Sequence, residues 1–180
     1  MGKFRFVKTD IDGVIIVEPT AYGDNRGYFM ETYQKEDFIA GGIDVDFVQD
    51  NQSMSTKGVL RGLHFQINYP QSKLVRCIRG EVYDVAVDLR EGSPTYGKYV
   101  GVLLSAENKR QFFIPKNFAH GFLVLSDEAE FVYKVDDYYH PNDEDGLMWN
   151  DPTIGIDWPI PEGMEIKLSE KDKVHPLFKK

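Results

Sequence analysis

The feature that most constrains this chain is its rhythm of short strand-like runs. "FRFVKT", "GVIIVEP", "YFMETY", "FVQDNQSMS", "VLRGLHFQ", "KLVRCIRG", "EVYDVAVDL", "KYVGVLL", "QFFIPK", "GFLVLS" and "EFVYKVDDYY" follow one another. Turn residues punctuate them, as in "YGDNRG", "REGSPTYG" and "KNFAHG". Runs recurring about every ten residues, with Gly, Asn, Asp and Pro between them, specify an all-β sandwich or barrel. The 12 Phe, 10 Tyr and 2 Trp suit that class, because aromatic rings fit a pleated, half-buried surface. Helices are expected to be few and short. One falls around Lys35–Ala40, ended by Gly41-Gly42, and the others fall in the C-terminal third. With 180 residues and no linker, repeat or low-complexity tract, one domain is expected over 1–180.

Within "EVYDVAVDL", Tyr83, Val85, Val87 and Leu89 share one face, and Val82, Asp84, Ala86 and Asp88 share the other. A face with two aspartates and two small apolar residues suits either solvent or a polar cavity. In "FVYKVDDYY", Tyr133, Val135, Asp137 and Tyr139 share a parity. A barrel with a polar interior joins both observations, since the polar face then lines a ligand pocket.

Charge and cysteine content narrow the function. The net charge of -8 argues against nucleic acid, which demands a basic patch. It leaves room for a small phosphorylated ligand held by a few arginines. The lone cysteine, Cys77, lies in a strand-like run and reads as a small buried apolar residue. One cysteine forms no internal disulfide, which fits a reducing compartment. No signal-peptide pattern opens the chain and no apolar run approaches roughly 18 residues. A cytoplasmic, soluble protein with no membrane partner is expected.

The stretch Leu60 to Gln66, "LRGLHFQ", places an arginine and a histidine in a segment that otherwise looks buried. Unpaired charge is costly to bury, so both residues need partners. One answer is a structural histidine beside an edge arginine. The other is a catalytic base beside an anion clamp. Arg61 and His64 differ by three and point to opposite faces of a regular strand. Gly62 between them permits a bulge that turns both toward one pocket.

The blocks "GVLRGLHFQ", "QSKLVRCIRGEVYDVAVDLREGSPTYG", "IPKNFAHGFLVLSDEAEFVYKVDDYYHP", "DPTIGIDWP" and "LSEKD" occur in that order. This array resembles the dTDP-4-dehydrorhamnose 3,5-epimerase family, a cupin-type jelly roll, from "TDIDGVIIVEP" to "LSEKD". The resemblance implies an all-β jelly-roll homodimer that inverts C3 and C5 of dTDP-4-dehydro-6-deoxy-D-glucose, giving dTDP-4-dehydro-L-rhamnose. Both carbons carry a proton α to the C4 ketone. Neutral-pH inversion needs a base at the C–H, a cation at the enolate oxygen, and an acid on the opposite face.

By resemblance His64 is the base, oriented by Asp172 of "LSEKD", Lys73 stabilises the enolate, and Tyr133 is the acid. Asp84 is the expected neighbour of Lys73. Arginines fork onto diphosphate oxygens, which suits Arg61 and Arg26. Gln49, Asp50, Asn51 and Glu31 join the substrate contacts, Tyr139 stacks on thymine, and His120 sits against the sugar. Glu144 and Lys171 match further contact positions. The resemblance also implies that Arg26, Phe29 and Glu31 complete the partner's pocket. No organic cofactor is expected, because the ketone itself accepts the electrons.

Three rivals remain at this point. A metal cupin carries two histidines one residue apart, but Gln66 stands at the second position, so no metal is expected. A non-catalytic sugar-nucleotide binder has no need for a base and an acid together. An epimerase acting at C3 only or C5 only differs by placement that sequence does not resolve.

Overall fold

In a computed structural model, which describes residues 2–179, two antiparallel sheets face each other. Chain order is β1 (Phe4–Lys8), β2 (Ile15–Pro19), β3 (Tyr22–Asp24), β4 (Gly27–Phe29), α1 (Lys35–Ala40), β5 (Gln49–Thr56), β6 (Leu60–Gln66) and β7 (Lys73–Arg79), then β8 (Glu81–Asp88), β9 (Tyr99–Ser105), β10 (Gln111–Ile114), β11 (Phe118–Val124), β12 (Glu128–Val135) and β13 (Glu144–Gly146). The larger sheet runs β1-β2-β10-β7-β12-β5, and the other runs β13-β6-β11-β8-β9. β3 and β4 form a separate hairpin. The expected all-β jelly roll is what the chain adopts.

Between the sheets, alternate residues of both interlock: Val75 and Cys77 of β7, Phe112 and Ile114 of β10, Phe131 of β12, Val82 and Ala86 of β8, and Phe122 of β11. Each large apolar side chain buried here contributes about 1.5–3 kcal/mol. That stabilisation supports the polar groups the same interior contains. The outer face of the five-stranded sheet is covered as well, with Leu63, Val85, Val87 and Leu123 under Leu147, Ile154, Trp158 and Phe178. Covering on both faces explains why every residue of β11 is buried.

α1 is the expected helix. The Gln34 side chain accepts from the Asp37 N–H at its start, and the Gly41 N–H returns to Asp37 O at its end. Phe38 anchors it edge-on against Phe4, Phe6 and Tyr33. The expected C-terminal helices are a correction: among the described residues, that third holds turns and extended segments and no α-helix. Pro152, Pro159, Pro161 and Pro176, with Gly155 and Gly163, interrupt it too often for a helical turn to propagate. "KNFAHG" is also only partly a turn. Asn117 takes a positive φ of 64°, and Ala119, His120 and Gly121 lie inside β11.

Candidate active site

The two aspartates sharing the inward face of β8 meet different fates. Asp88, at the strand end, accepts from Arg90, Ser93 and Thr95. Burial works against its charge, yet those donors hold it well below the usual carboxylate range. It fastens a turn. Asp84, mid-strand, is fully buried and accepts from His120, which lines a cavity of about 510 Å3 between the sheets. The alternation in "EVYDVAVDL" therefore marks an interior polar face.

His64 and Arg61 both line this cavity. The β6–β11 register explains how. His64 faces His120 and Arg61 faces Phe122, so three steps on β6 match two on β11. The extra residue is a bulge. Gly62 takes φ 116°, and a Cβ there would lie 2.6 Å from His120 O. Only glycine fits both the backbone angle and the contact. The bulge also presents the Gly62 N–H to the Asp172 carboxylate.

Asp172, from the C-terminal segment, lies 2.5 Å from His64 Nε2. Burial pushes its carboxyl up, but the hydrogen bonds from His64, Ser169 and the Gly62 N–H hold it below its ordinary value. An Nε2–H tautomer donates to Asp172 and leaves a lone pair on Nδ1. Glu144 Oε1 lies 3.6 Å from that Nδ1. Glu144 also accepts from the Tyr139 hydroxyl at 2.5 Å and pairs with Lys171 at 3.1 Å. The hydrogen bond to Glu144 raises the Tyr139 phenol to about 12.

Tyr133 reaches the same cavity from β12, on the facing sheet. Burial raises its phenol, as does Glu144, while Arg61 lowers it. Lys73, at the start of β7, also lines the cavity. Burial lowers its ammonium to about 8 against the pull of Asp84 and Glu144. No carboxylate comes within 4 Å of its Nζ among the described residues. Asp84 acts on Lys73 only through space, because its hydrogen bonds go to His120 Nε2 at 2.8 and 3.0 Å. Burial pushes Asp84 up and His120 down, each drawn back by the other.

The remaining expected contacts divide. Arg61 rests on Ser55 Oγ at 3.0 Å at the mouth. Asn51 pairs with Tyr133 across β5 and β12, and Gln49 bonds both Asn51 and the Tyr139 N–H. Asp50, the next parity, faces away and pairs with Lys134, so the fold does not bring it to the cavity. Arg26, Phe29 and Glu31 do not reach it either. Arg26 is exposed beside Asp24, Phe29 is 68% exposed on the β3–β4 hairpin, and Glu31 pairs with Lys3. Lys167, Ser169 and Phe122 line the cavity without having been expected. Lys167 is brought there by a parallel bridge to Val59, a pairing with no local sequence signal.

The metal question has a structural answer in its donors. Gln66 is consumed: its amide donates to Tyr69 O and Tyr138 O and accepts from the His140 N–H. His64, Asp172 and His175 do cluster within 4.8 Å. Yet both Nε2 atoms address one oxygen, Asp172 Oδ1, which is the geometry of a hydrogen-bonded chain.

Fold and site together define a class, the cupin-type jelly rolls that carry acid–base groups inside the barrel. The family model described as dTDP-4-dehydrorhamnose 3,5-epimerase matches residues 8–180. A relative of that name from Methanothermobacter thermautotrophicus is 59% identical over 173 residues, 96% of this chain and 94% of its own. A 3,5-epimerase structure from Legionella pneumophila, in complex with dTDP-4-keto-L-rhamnose, superposes with a TM-score of 0.93 at 54% identity. That match covers 97% of this chain and 92% of the other. A 3'-monoepimerase from Streptomyces bikiniensis, in complex with dTDP-quinovose, gives 0.86 at 34% identity over 94% and 85%. The chain belongs to the dTDP-4-dehydrorhamnose 3,5-epimerase family.

Proposed function

We propose that this chain epimerises dTDP-4-dehydro-6-deoxy-D-glucose at C3 and C5, yielding dTDP-4-dehydro-L-rhamnose for dTDP-L-rhamnose synthesis. One observation carries the reading: the His64–Asp172 pair and the Tyr133 phenol enter one cavity from facing sheets. His64 Nδ1 removes the α-proton, and Asp172 stabilises the imidazolium that forms. The Lys73 ammonium, with no carboxylate within 4 Å among the described residues, compensates the enolate oxygen. Tyr133 returns a proton from the other wall. Once His64 has released its proton and Tyr133 has regained one by exchange with solvent, a second cycle on the other flank of the ketone inverts the second carbon.

Arg61 holds diphosphate at the mouth, and Tyr139 with Gln49 and Asn51 holds the thymine end. The chain works as a cytoplasmic homodimer, and the β3–β4 hairpin supports this. Tyr22, Tyr28 and Phe29 are more than half exposed on it, a surface that gains by burial against a second copy. Arg26, Phe29 and Glu31 then complete the partner's pocket.

The likeness to a monoepimerase favours one competing reading, inversion at a single carbon. Incubation with the substrate in D2O, read by NMR, tests both. Label at C3 and C5 is expected. Label at one carbon makes the chain a monoepimerase, and no label above the enzyme-free control removes the catalytic roles of His64 and Tyr133.

A further inference from the structure

His175 plays no part in the reading so far, yet the residue is buried, 8% exposed, and its ring lies against the catalytic pair. Its Nε2 is 3.3 Å from Asp172 Oδ1, the oxygen that also meets His64. The two imidazoles meet edge to face at 5.5 Å between centroids. The opposing strand makes room for this ring. Gly146 of β13 pairs with His64, and a Cβ on Gly146 would fall 2.5 Å from His175 Cε1 and Nε2. The imidazole therefore fills the space of the missing side chain.

The segment around His175 is pinned on both sides. Met148 N–H donates to Pro176 O at 2.9 Å, and Phe178 N–H donates to Asp151 at 2.7 Å, with Phe178 buried under the five-stranded sheet. A histidine held this firmly against a carboxylate has a fixed orientation.

We propose that His175 is a positioning residue, whose neutral Nε2–H is the second donor to Asp172 Oδ1 and fixes the carboxylate that orients His64. This rests on the assignment of His64 as the base. The charged and titratable groups facing the pair are Glu144 on β13, Lys171 and His175 on the C-terminal segment, Lys73 on β7 and His120 on β11. Sharing Asp172 between two donors divides its pull. Loss of the second donor concentrates that pull on His64 and favours its imidazolium. The acid limb of kcat/KM then moves to higher pH.

The test compares His175→Leu, which removes the donor, with His175→Gln, which keeps an N–H. For His175→Leu, kcat should fall about tenfold, the low end for loss of an outer partner of a metal-bound histidine, with KM unchanged. Its acid limb should rise by about half a pH unit. His175→Gln should restore both. Equal profiles for the two variants would overturn the proposal, as would a parallel loss of dTDP binding in both.

A second measurement needs no variant and no turnover. In 15N-histidine-labelled unmodified protein at pH 7.5, His175 should carry its proton on Nε2 alone. An Nδ1–H tautomer or an imidazolium would sink the proposal even if the protein is a working epimerase. Failure of deuterium incorporation would instead strike the assigned reaction while leaving the tautomer readable.

Discussion

Two of the histidine–aspartate contacts among the described residues, His120–Asp84 and His64–Asp172, differ in what surrounds them. His120 and Asp84 sit on neighbouring strands of one sheet and are both buried. His64 and Asp172 join a strand to the irregular C-terminal segment, and the His64 side chain is 29% exposed. The first pair is built from the most cooperative part of the fold. The second is assembled by a bulge and a tail. A buried pair that satisfies itself stabilises and orients, whereas a base must present a free nitrogen to its substrate. Under the proposed mechanism, partial exposure and a long-range partner go with the histidine assigned as base, and deep burial goes with the one assigned to support.

Removing the histidine assigned as base is the hardest test of that division. His64→Ala should lower turnover by about 10^3-fold, the scale of a positioned general base. Folding and dTDP affinity should persist, because Arg61 and Tyr139 remain. Binding calorimetry beside the rate assay decides this; loss of affinity in step with the rate would make His64 structural and erase the contrast.

The converse variant is Asp84→Ala. It leaves His120 unpaired in the barrel and should cost about 3 kcal/mol of stability, read from urea denaturation. A smaller activity loss than that of His64→Ala is expected at a temperature where the variant is folded. An unchanged unfolding midpoint would mean that the interior pair contributes nothing to the fold.

Lys73 feels the field of Asp84, a member of one pair, and of Glu144, which lies 3.6 Å from His64 Nδ1 of the other. Its ammonium is lowered to about 8 by burial. Raising pH through about 8 should therefore deplete the cation that compensates the enolate, and kcat/KM should fall about tenfold per further unit. Stability moves the other way. Between pH 8 and 10.5 the unfolded lysine holds the proton that the folded one has released, so this group's contribution to stability rises with pH. Lys73→Met should flatten the stability trend across that window. A basic limb that survives the substitution belongs to another group.

Much of this was legible before the fold was known, and the reasons are local. Regular punctuation specified the β architecture. The alternation of "EVYDVAVDL" specified a polar face, and Gly62 flagged the bulge that turns Arg61 and His64 together. The functional labels on His64, Lys73, Tyr133 and Asp172 came from the resemblance. What stayed hidden lies in tertiary approach. Lys167, Ser169 and His175 belong to a segment without period, tied by isolated backbone bonds to the start of β6 and to Met148 beyond β13. Asp50 failed for a readable reason: one step from Asn51 on a regular strand, it must face the other way. Asp84 was matched to Lys73, but the adjacent strand offered a nearer partner in His120.

Arg61→Ala touches neither pair, and so it sharpens the comparison most finely. Arg61 shares the bulge with His64, but its guanidinium leans on Ser55 and Met54 O and faces the cavity mouth. Exposure and salt screening limit what such a contact contributes. The affinity for dTDP should weaken about tenfold, equivalent to about 1.4 kcal/mol, and the loss should shrink as salt is raised. Turnover at saturating substrate should hold, because the His64–Asp172 bond and the Gly62 N–H are untouched. A fall in kcat with affinity intact would show that Arg61 holds the bulge in shape. Binding and catalysis on β6 would then be one mechanical unit, and exposure alone would no longer separate the histidine assigned as base from its surroundings.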